Sequence, residues 1–366
     1  MSIQLYSLGD IKQELAVLPK YFESLDTMGG VNNRHIPKLE QKFTQVVGRT
    51  ATSINSCTNG VYLALKQLNL QNDPVFVPPV TFFGIGSSIV KAGGIPVFTR
   101  TDKHGLMDVD SVLEHLDHSW PERAKAAVPC HINSRYNDIR PLQGQIDLIE
   151  DAAPSFGTKD PDGNCIVANS KNVSIISFSY GKPLTAGEGG MIFSDDDTSR
   201  WLKGHRYCGL DNLDGQYGYG VFNVQDPDLK FPFNALGAML IWEKLKKFNQ
   251  QLHRRTAIAQ HYQAEFGHLH DADFYLNGNH VTYMLLARDK AQRNHVQSQL
   301  EAAGVKTYYN HRPMFLLDAF KNFSGVPGYQ DSALEYFDRV LHIPCRHDLT
   351  DAEVETVSQA TRKALS

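Results

Sequence analysis

Apolar positions along the chain fall into two patterns. Ile36, Leu39, Phe43 and Val47 recur at helical spacing with Glu40 inside the same stripe, and Gly48 follows as a stop signal. Ser56 precedes a second helix that carries Val61, Ala64, Leu65 and Leu68 on one face. Short unbroken apolar runs then occur at residues 75–77, 95–98, 126–128, 146–149, 173–178 and 191–193. Runs that are continuous rather than alternating read as strands buried on both faces of a mixed or parallel sheet. Helical stretches separate several of them, so the first two-thirds of the chain reads as a doubly wound α/β domain.

From about Asn234 the texture changes. A long helix passes Trp242 and Leu245 into residues 252–266, followed by a strand at 281–286 and a helix at 291–303 capped by Gly304. The expected division is a large α/β domain over residues 1–240 and a smaller α+β domain over 241–366. The extreme N-terminus is expected to pack on the smaller one. Residues 211–230 are polar and Gly-rich and read as a functional loop.

Composition narrows the classes. At 366 residues and 42% hydrophobic, the chain can bury a sizeable core in two domains. A net charge of −4 without a basic tract gives no sign of nucleic acid or an anionic membrane. No apolar run approaches a membrane span and the N-terminus lacks a signal-type apolar core, so a cytoplasmic protein is expected. The five cysteines are widely spaced with no Cys-x-x-Cys pair, and the fifteen histidines show no helical metal-ligand pair. Neither a disulfide framework nor a metal site is expected.

The chemistry concentrates at four segments. Lys182 follows the apolar run ending at Phe178 and precedes the turn Gly187-Glu188-Gly189-Gly190. Asp151 ends another apolar run, where ligands of open α/β sheets bind. Its neighbour Glu150 is expected to face outward. A lysine amine for an imine and a carboxylate for a pyridine nitrogen are what pyridoxal phosphate needs. Asn55-Ser56-Cys57-Thr58 opens a helix, where free N–H groups, the dipole and two hydroxyls suit a phosphate. Taken alone, an ordinary Ser or Thr N-cap is the simpler reading of that segment. Ser177 would point its hydroxyl at the same phosphate. Phe82 follows a further apolar strand and could stack on a ring or pack in the core.

Over nearly its whole length the chain resembles the DegT/DnrJ/StrS group of nucleotide-sugar aminotransferases. These have the fold-type I, aspartate aminotransferase-like architecture: a mixed, mostly parallel sheet in a large domain and a smaller α+β C-terminal domain. The group's opening helix resembles residues 31–48. Its Ser-(Gly/Cys)-Thr loop resembles Ser56-Cys57-Thr58, and its Val-Pro-x-x-Thr-(Phe/Trp) segment resembles residues 77–82. Its (Ile/Val)-Glu-Asp-Ala-Ala resembles residues 149–153. Its Phe-Ser-Phe-x-x-x-Lys-x-Leu-x-x-Gly-(Glu/Asp)-Gly-Gly resembles 176–190, and its closing Leu-x-(Ile/Leu)-Pro and Leu-Thr-Asp-x-Glu-Val resemble 341–354.

The resemblance implies that Lys182 is the Schiff-base lysine of pyridoxal 5′-phosphate and Asp151 the partner of its ring nitrogen. Ser56, Cys57, Thr58, Phe82, Pro154 and Ser177 would complete the cofactor site. It further implies a homodimer with active sites at the interface, an amino-acid donor (usually L-glutamate) and a keto-sugar acceptor, usually nucleotide-linked, in amino-sugar biosynthesis for surface polysaccharides or secondary metabolites. Dehydratases of the same group replace the lysine with histidine, which Lys182 argues against. A non-catalytic member of the fold is the other alternative. Departures from the pattern are Pro154 for a Gln or His, Ser179 for a His, Lys230-Phe231-Pro232 for Asn-Tyr-Arg, and Phe315 for the His of Pro-(Leu/Met)-His. They fall near the substrate, where His311, Arg312 and Lys230 are the candidate contacts.

Overall fold

The computed structural model describes residues 2–6, 34–116, 124–211, 223–224 and 226–366, together with positions 16 and 19. Residues 31–33 of the opening segment, and 212–222 and 225 of the polar loop, lie outside the described residues.

Helix α1 (His35–Val47) buries Ile36, Leu39, Glu40, Phe43 and Val47, the stripe read from the spacing. Gly48 ends it in the left-handed region at φ 77°, its N–H donating to Thr44 O at 2.7 Å. Then come β1 (Thr50–Ile54), α2 (Cys57–Lys66), β2 (Pro74–Val77), α3 (Phe83–Lys91), β3 (Ile95–Phe98), α4 (Val109–Leu116), β4 (Ala126–Ala127), β5 (Asp147–Asp151), β6 (Val173–Ser177), β7 (Gly190–Ser194) and α5 (Asp196–His205). The strands form one seven-stranded sheet in the order β1-β7-β6-β5-β4-β2-β3. Strand β7 runs antiparallel to both its neighbours, and the remaining pairs are parallel. This is the mixed, mostly parallel sheet that the resemblance implies, and the apolar runs are its strands.

Both faces of the sheet are covered, which explains the unbroken hydrophobicity of its strands. Alternate residues serve opposite cores. Ile54, Ile175 and Ile192 pack with α2 and α3 on one face. Ala51, Ile176, Met191 and Phe193 pack with Phe43 of α1 on the other. Strand β1 was not expected, because Thr50, Thr52 and Ser53 break its apolar pattern. Those hydroxyls are satisfied by neighbours: Thr50 Oγ1 donates to Asp196, Thr52 pairs with Ser199 at 2.7 Å, and Ser53 Oγ donates to Glu40 Oε1 at 2.8 Å.

Helix α6 (Ala235–Phe266) is a single 32-residue rod, and the expected boundary at residue 240 falls inside it. Its first half packs Ala238, Ile241 and Phe248 under the large sheet. Its second half packs Ile258, Ala259, Tyr262 and Phe266 in a separate core. That second core is completed by β8 (Thr282–Leu286), α7 (Lys290–Ala302), β9 (Val340–Pro344) and α9 (Asp351–Leu365), with α8 (Tyr329–Arg339) leading into β9. Strands β8 and β9 pair antiparallel. Ile3 bonds across Gly304 and Lys306 at 2.8 and 3.0 Å, joining the N-terminus to this part. A reciprocal Thr350–Glu353 capping box fixes the start of α9. Among the described residues, no helix is long and apolar enough to cross a membrane.

Candidate active site

Strands β1, β2, β5 and β6 run in the same direction, so their carboxyl ends meet along one edge of the sheet. Asp151 is the last residue of β5 and Ser177 the last of β6. Ser56-Cys57-Thr58 opens α2 just after β1, and Phe82 is the N-cap of α3 after β2. These residues, with Pro154 and Lys182, line one cavity of about 470 Å³.

Lys182 sits on a pinned loop. Phe178 N–H donates to Gly189 O at 2.8 Å, and Ala186 N–H donates back to Phe178 O at 2.8 Å. Gly181, Gly187 and Gly189 take φ of 78°, 88° and 136°, conformations open to glycine. The loop therefore leaves β6, presents its lysine to the cavity and returns into β7.

Asp151 is 4% exposed. Its Oδ1 accepts the Ala153 N–H at 2.9 Å and lies 3.7 Å from Cys57 Sγ, while Oδ2 lies 3.6 Å from Cys130 Sγ. Burial, with the Asp151 charge adding to it, pushes both thiols well above their usual range, so they remain neutral, weak donors. Among the described residues no basic side chain forms an ion pair with this carboxylate. A buried charge held by one amide and two thiols is under-compensated. A cationic N–H within the cavity would complete it, and the protonated ring nitrogen of pyridoxal phosphate is such a group.

The helix start fits a phosphate. Ser56 Oγ accepts the Asn59 N–H at 3.2 Å and Ser56 O accepts the Gly60 N–H at 3.1 Å. Ser56 is thus an ordinary N-cap, the simpler reading of its sequence. The Cys57 and Thr58 N–H groups are left without a protein acceptor among the described residues. Thr58 and Ser177 line the cavity beside them. Gly190 permits this approach: a Cβ there would lie 2.8 Å from Ile176 O and 3.1 Å from Cys57 N.

Glu150 corrects an expectation. It faces away from the cavity but not outward to solvent, being 2% exposed. Its carboxylate accepts from His131 Nε2 at 2.9 Å, from Asn172 Nδ2 at 2.9 Å and from Ser170 Oγ. Burial raises its pKa, but the hydrogen bonds outweigh burial and leave it lowered.

The opposite wall comes from the C-terminal part. Tyr308, Asn310, His311 and His342 all line the cavity. Tyr308 Oη is 3.3 Å from His311 Nδ1, and the Phe82 and His311 rings are 5.7 Å apart. Burial, with the Lys182 charge adding to it, lowers His311 to about 4; burial and then His311 lower His342 to about 4. Both imidazoles are neutral at pH 7. Arg312 and Lys230 are exposed and are not among the described residues lining the cavity. Phe315 packs against Phe98 and Tyr329 in the core, 6.2 and 5.4 Å between ring centres. Tyr308, Asn310 and His342 carried no sequence expectation. The available signal was His342 itself, a polar residue inside the apolar run of β9.

Comparison with known proteins gives a consistent result. Residues 19–362 match the model of the DegT/DnrJ/EryC1/StrS aminotransferase family. The spore coat polysaccharide biosynthesis protein SpsC of Bacillus subtilis is 27% identical, covering 98% of this chain and 96% of its own. A DegT DnrJ EryC1 StrS aminotransferase from Brucella abortus superposes with a TM-score of 0.88 at 21% identity, covering 99% of each chain. PseC of Helicobacter pylori, an aminotransferase involved in the biosynthesis of pseudoaminic acid, superposes at 0.82 with 17% identity, covering 100% of this chain and 99% of its own.

Proposed function

The chain belongs to the DegT/DnrJ/EryC1/StrS aminotransferase family, and from that premise we propose that it moves an amino group from L-glutamate to a nucleotide-linked keto-sugar, using pyridoxal 5′-phosphate. The observation that carries this reading is the meeting of Lys182, Asp151 and the free N–H groups at the start of α2 in one cavity. The roles of SpsC in spore coat polysaccharide biosynthesis and of PseC in pseudoaminic acid biosynthesis support a sugar acceptor.

When bound, the cofactor supplies an aldehyde for amines and a conjugated ring that draws electrons from bonds at the amine-bearing carbon. The Cys57 and Thr58 N–H groups and the Thr58 and Ser177 hydroxyls would hold its phosphate. Ser56 holds that helix end in place. Asp151 would hold a proton at the ring nitrogen, and Phe82 and Pro154 would bound the space for the ring. Lys182 Nζ would be the point of attachment and, as a free amine, would take the proton from the donor's α-carbon. Neutral His311, with Tyr308, offers uncharged hydrogen bonds to sugar hydroxyls beyond the ring. Arg312 and Lys230, exposed in the single chain, belong in this reading to the rim of a homodimer, where Tyr180 is also 55% exposed beside the cavity.

Incubation of the cofactor-loaded protein with L-glutamate tests the reading. One equivalent of 2-oxoglutarate per site is expected before any acceptor is added, and continued turnover on adding a keto-sugar from a nucleotide-linked panel. Absence of 2-oxoglutarate would overturn the donor half, and no turnover with any keto-sugar the acceptor half.

A further inference from the structure

Beyond Lys182, on the side of α6, lies a second recess of about 50 Å³. Tyr6, Gly181, Lys182 and Val281 line both it and the main cavity, so the two are neighbours through the lysine. Its charged lining is of one sign: Lys182, Lys244, Arg255 and Arg346, with no carboxylate among the described lining residues, while burial keeps His347 neutral at pH 7.

Arg255 is the key member. It projects from α6 and is 3% exposed. Its Nε donates to Asn279 O at 2.8 Å, and its Nη2 is buried with no hydrogen-bond partner. Among the described residues no acid pairs with it. Arg346 differs, since its guanidinium lies 2.7 Å from Asp348 and 3.7 Å from Glu353. Burial lowers Arg255 to about 10, which leaves it cationic at neutral pH. A buried guanidinium with an unmade donor and no counter-charge is costly, and such groups are retained where an anion completes them. Guanidinium geometry matches a carboxylate, and a 50 Å³ space admits one such group rather than a sugar or a nucleotide.

We propose that this recess is the carboxylate subsite of the amino donor, with Arg255 as its anchoring contact and Lys244 contributing at its edge. The proposal rests on the aminotransferase reading of the same cavity and deepens it: the donor is held by an anion subsite on the α6 side of Lys182, while the acceptor is met from the His311 side. It gives the enzyme a reason to prefer an amino acid over a simple amine.

Glutarate, a dicarboxylate with no amine, reports the subsite without any turnover. Calorimetric titration of glutarate into the cofactor-loaded protein should show saturable binding. Arg255→Gln should weaken it about tenfold or more, the loss expected of one charge-assisted hydrogen bond, and Arg255→Lys should restore part of it. Lys244→Ala, on the recess edge, should weaken glutarate several-fold and keeps the test open if Arg255→Gln does not fold. Unchanged glutarate affinity in Lys244→Ala and in whichever folded Arg255 variant is obtained would overturn the proposal. The 2-oxoglutarate assay above is read separately. Its success with unaltered glutarate affinity rejects the subsite and keeps the transaminase; its failure with weakened affinity does the reverse.

Discussion

Cys130 Sγ lies 3.6 Å from Asp151 Oδ2. A second thiol, Cys57, lies 3.7 Å from the other oxygen, so the strand-end carboxylate is braced on both sides by neutral groups. Thiols are weak donors, so they fix the carboxylate plane without neutralising it. Its charge stays available to a cation in the cavity.

That arrangement predicts a thiol-reactivity pattern. Cys57, Cys130 and Cys345 are buried, Cys165 is partly buried and Cys208 is exposed. Each unit by which burial raises a thiol removes about tenfold of its thiolate. A short pulse of iodoacetamide near pH 8, followed by peptide mass mapping, should label Cys208 first and leave Cys57 and Cys130 essentially untouched. Labelling of Cys130 at the rate of Cys208 would contradict the brace.

Gly190 predicts a coupled loss. Its Cβ position is 2.8 Å from Ile176 O and 3.1 Å from Cys57 N, both backbone atoms that cannot rotate away. Gly190→Ala must push the start of α2 off β7. A destabilisation of about 1–3 kcal/mol is expected from the overpacking, together with weaker retention of the cofactor on dialysis. Wild-type retention in a folded Gly190→Ala protein would separate the helix start from phosphate binding.

The apolar stripe of α1 contains an acid because of what lies across from it. Glu40 Oε1 accepts the Ser53 N–H and Oγ–H at 2.8 Å each and pairs with Arg206, which also donates to Ser53 O at 2.7 Å. Glu40→Ala leaves a buried guanidinium uncompensated. A loss of about 3–5 kcal/mol is expected in urea unfolding. A loss under about 1 kcal/mol would mean that water reaches Arg206.

Stability should fall on mild acidification. His270, His280, His311, His342 and His347 are all lowered to about 4, mainly by burial. Between pH 6.5 and 4 the unfolded chain binds protons at these sites and the folded chain does not. Stability therefore drops as pH falls through that window and loses no more from these groups below about 4. Glu150, whose pKa is lowered on folding, adds a further loss below its unfolded value near 4.5. Urea midpoints across this range should show the decline, and His342→Gln should flatten it. A pH-independent midpoint would contradict the burial of these imidazoles.

Much of this was legible in the residues. Ile95–Phe98 is the strand its apolar run marked, and α1 buries the stripe its spacing marked. Lys182 and Asp151 were found because each follows or ends an apolar run, and Thr58 because Ser56 marks the start of a helix. Strand β1 was missed because its hydroxyls bond to side chains of α1 and α5, partners distant in sequence. Glu150 was expected outside because nothing local reveals His131 and Asn172 as its donors. The far wall of the cavity was illegible for the same reason: Tyr308, Asn310 and His342 reach Lys182 only once the second core folds against the first. Arg255 carried no sequence expectation; only its burial without an acid among the described residues distinguishes it.

The central claim is attachment of the cofactor at one amine. Reducing the cofactor-loaded protein with sodium borohydride fixes any imine, and peptide mass mapping then locates it. The account predicts the reduced cofactor's mass on Lys182 alone, and no adduct in Lys182→Ala. Cofactor mass on another lysine, or an unmodified Lys182 in protein that demonstrably holds the cofactor, would contradict it.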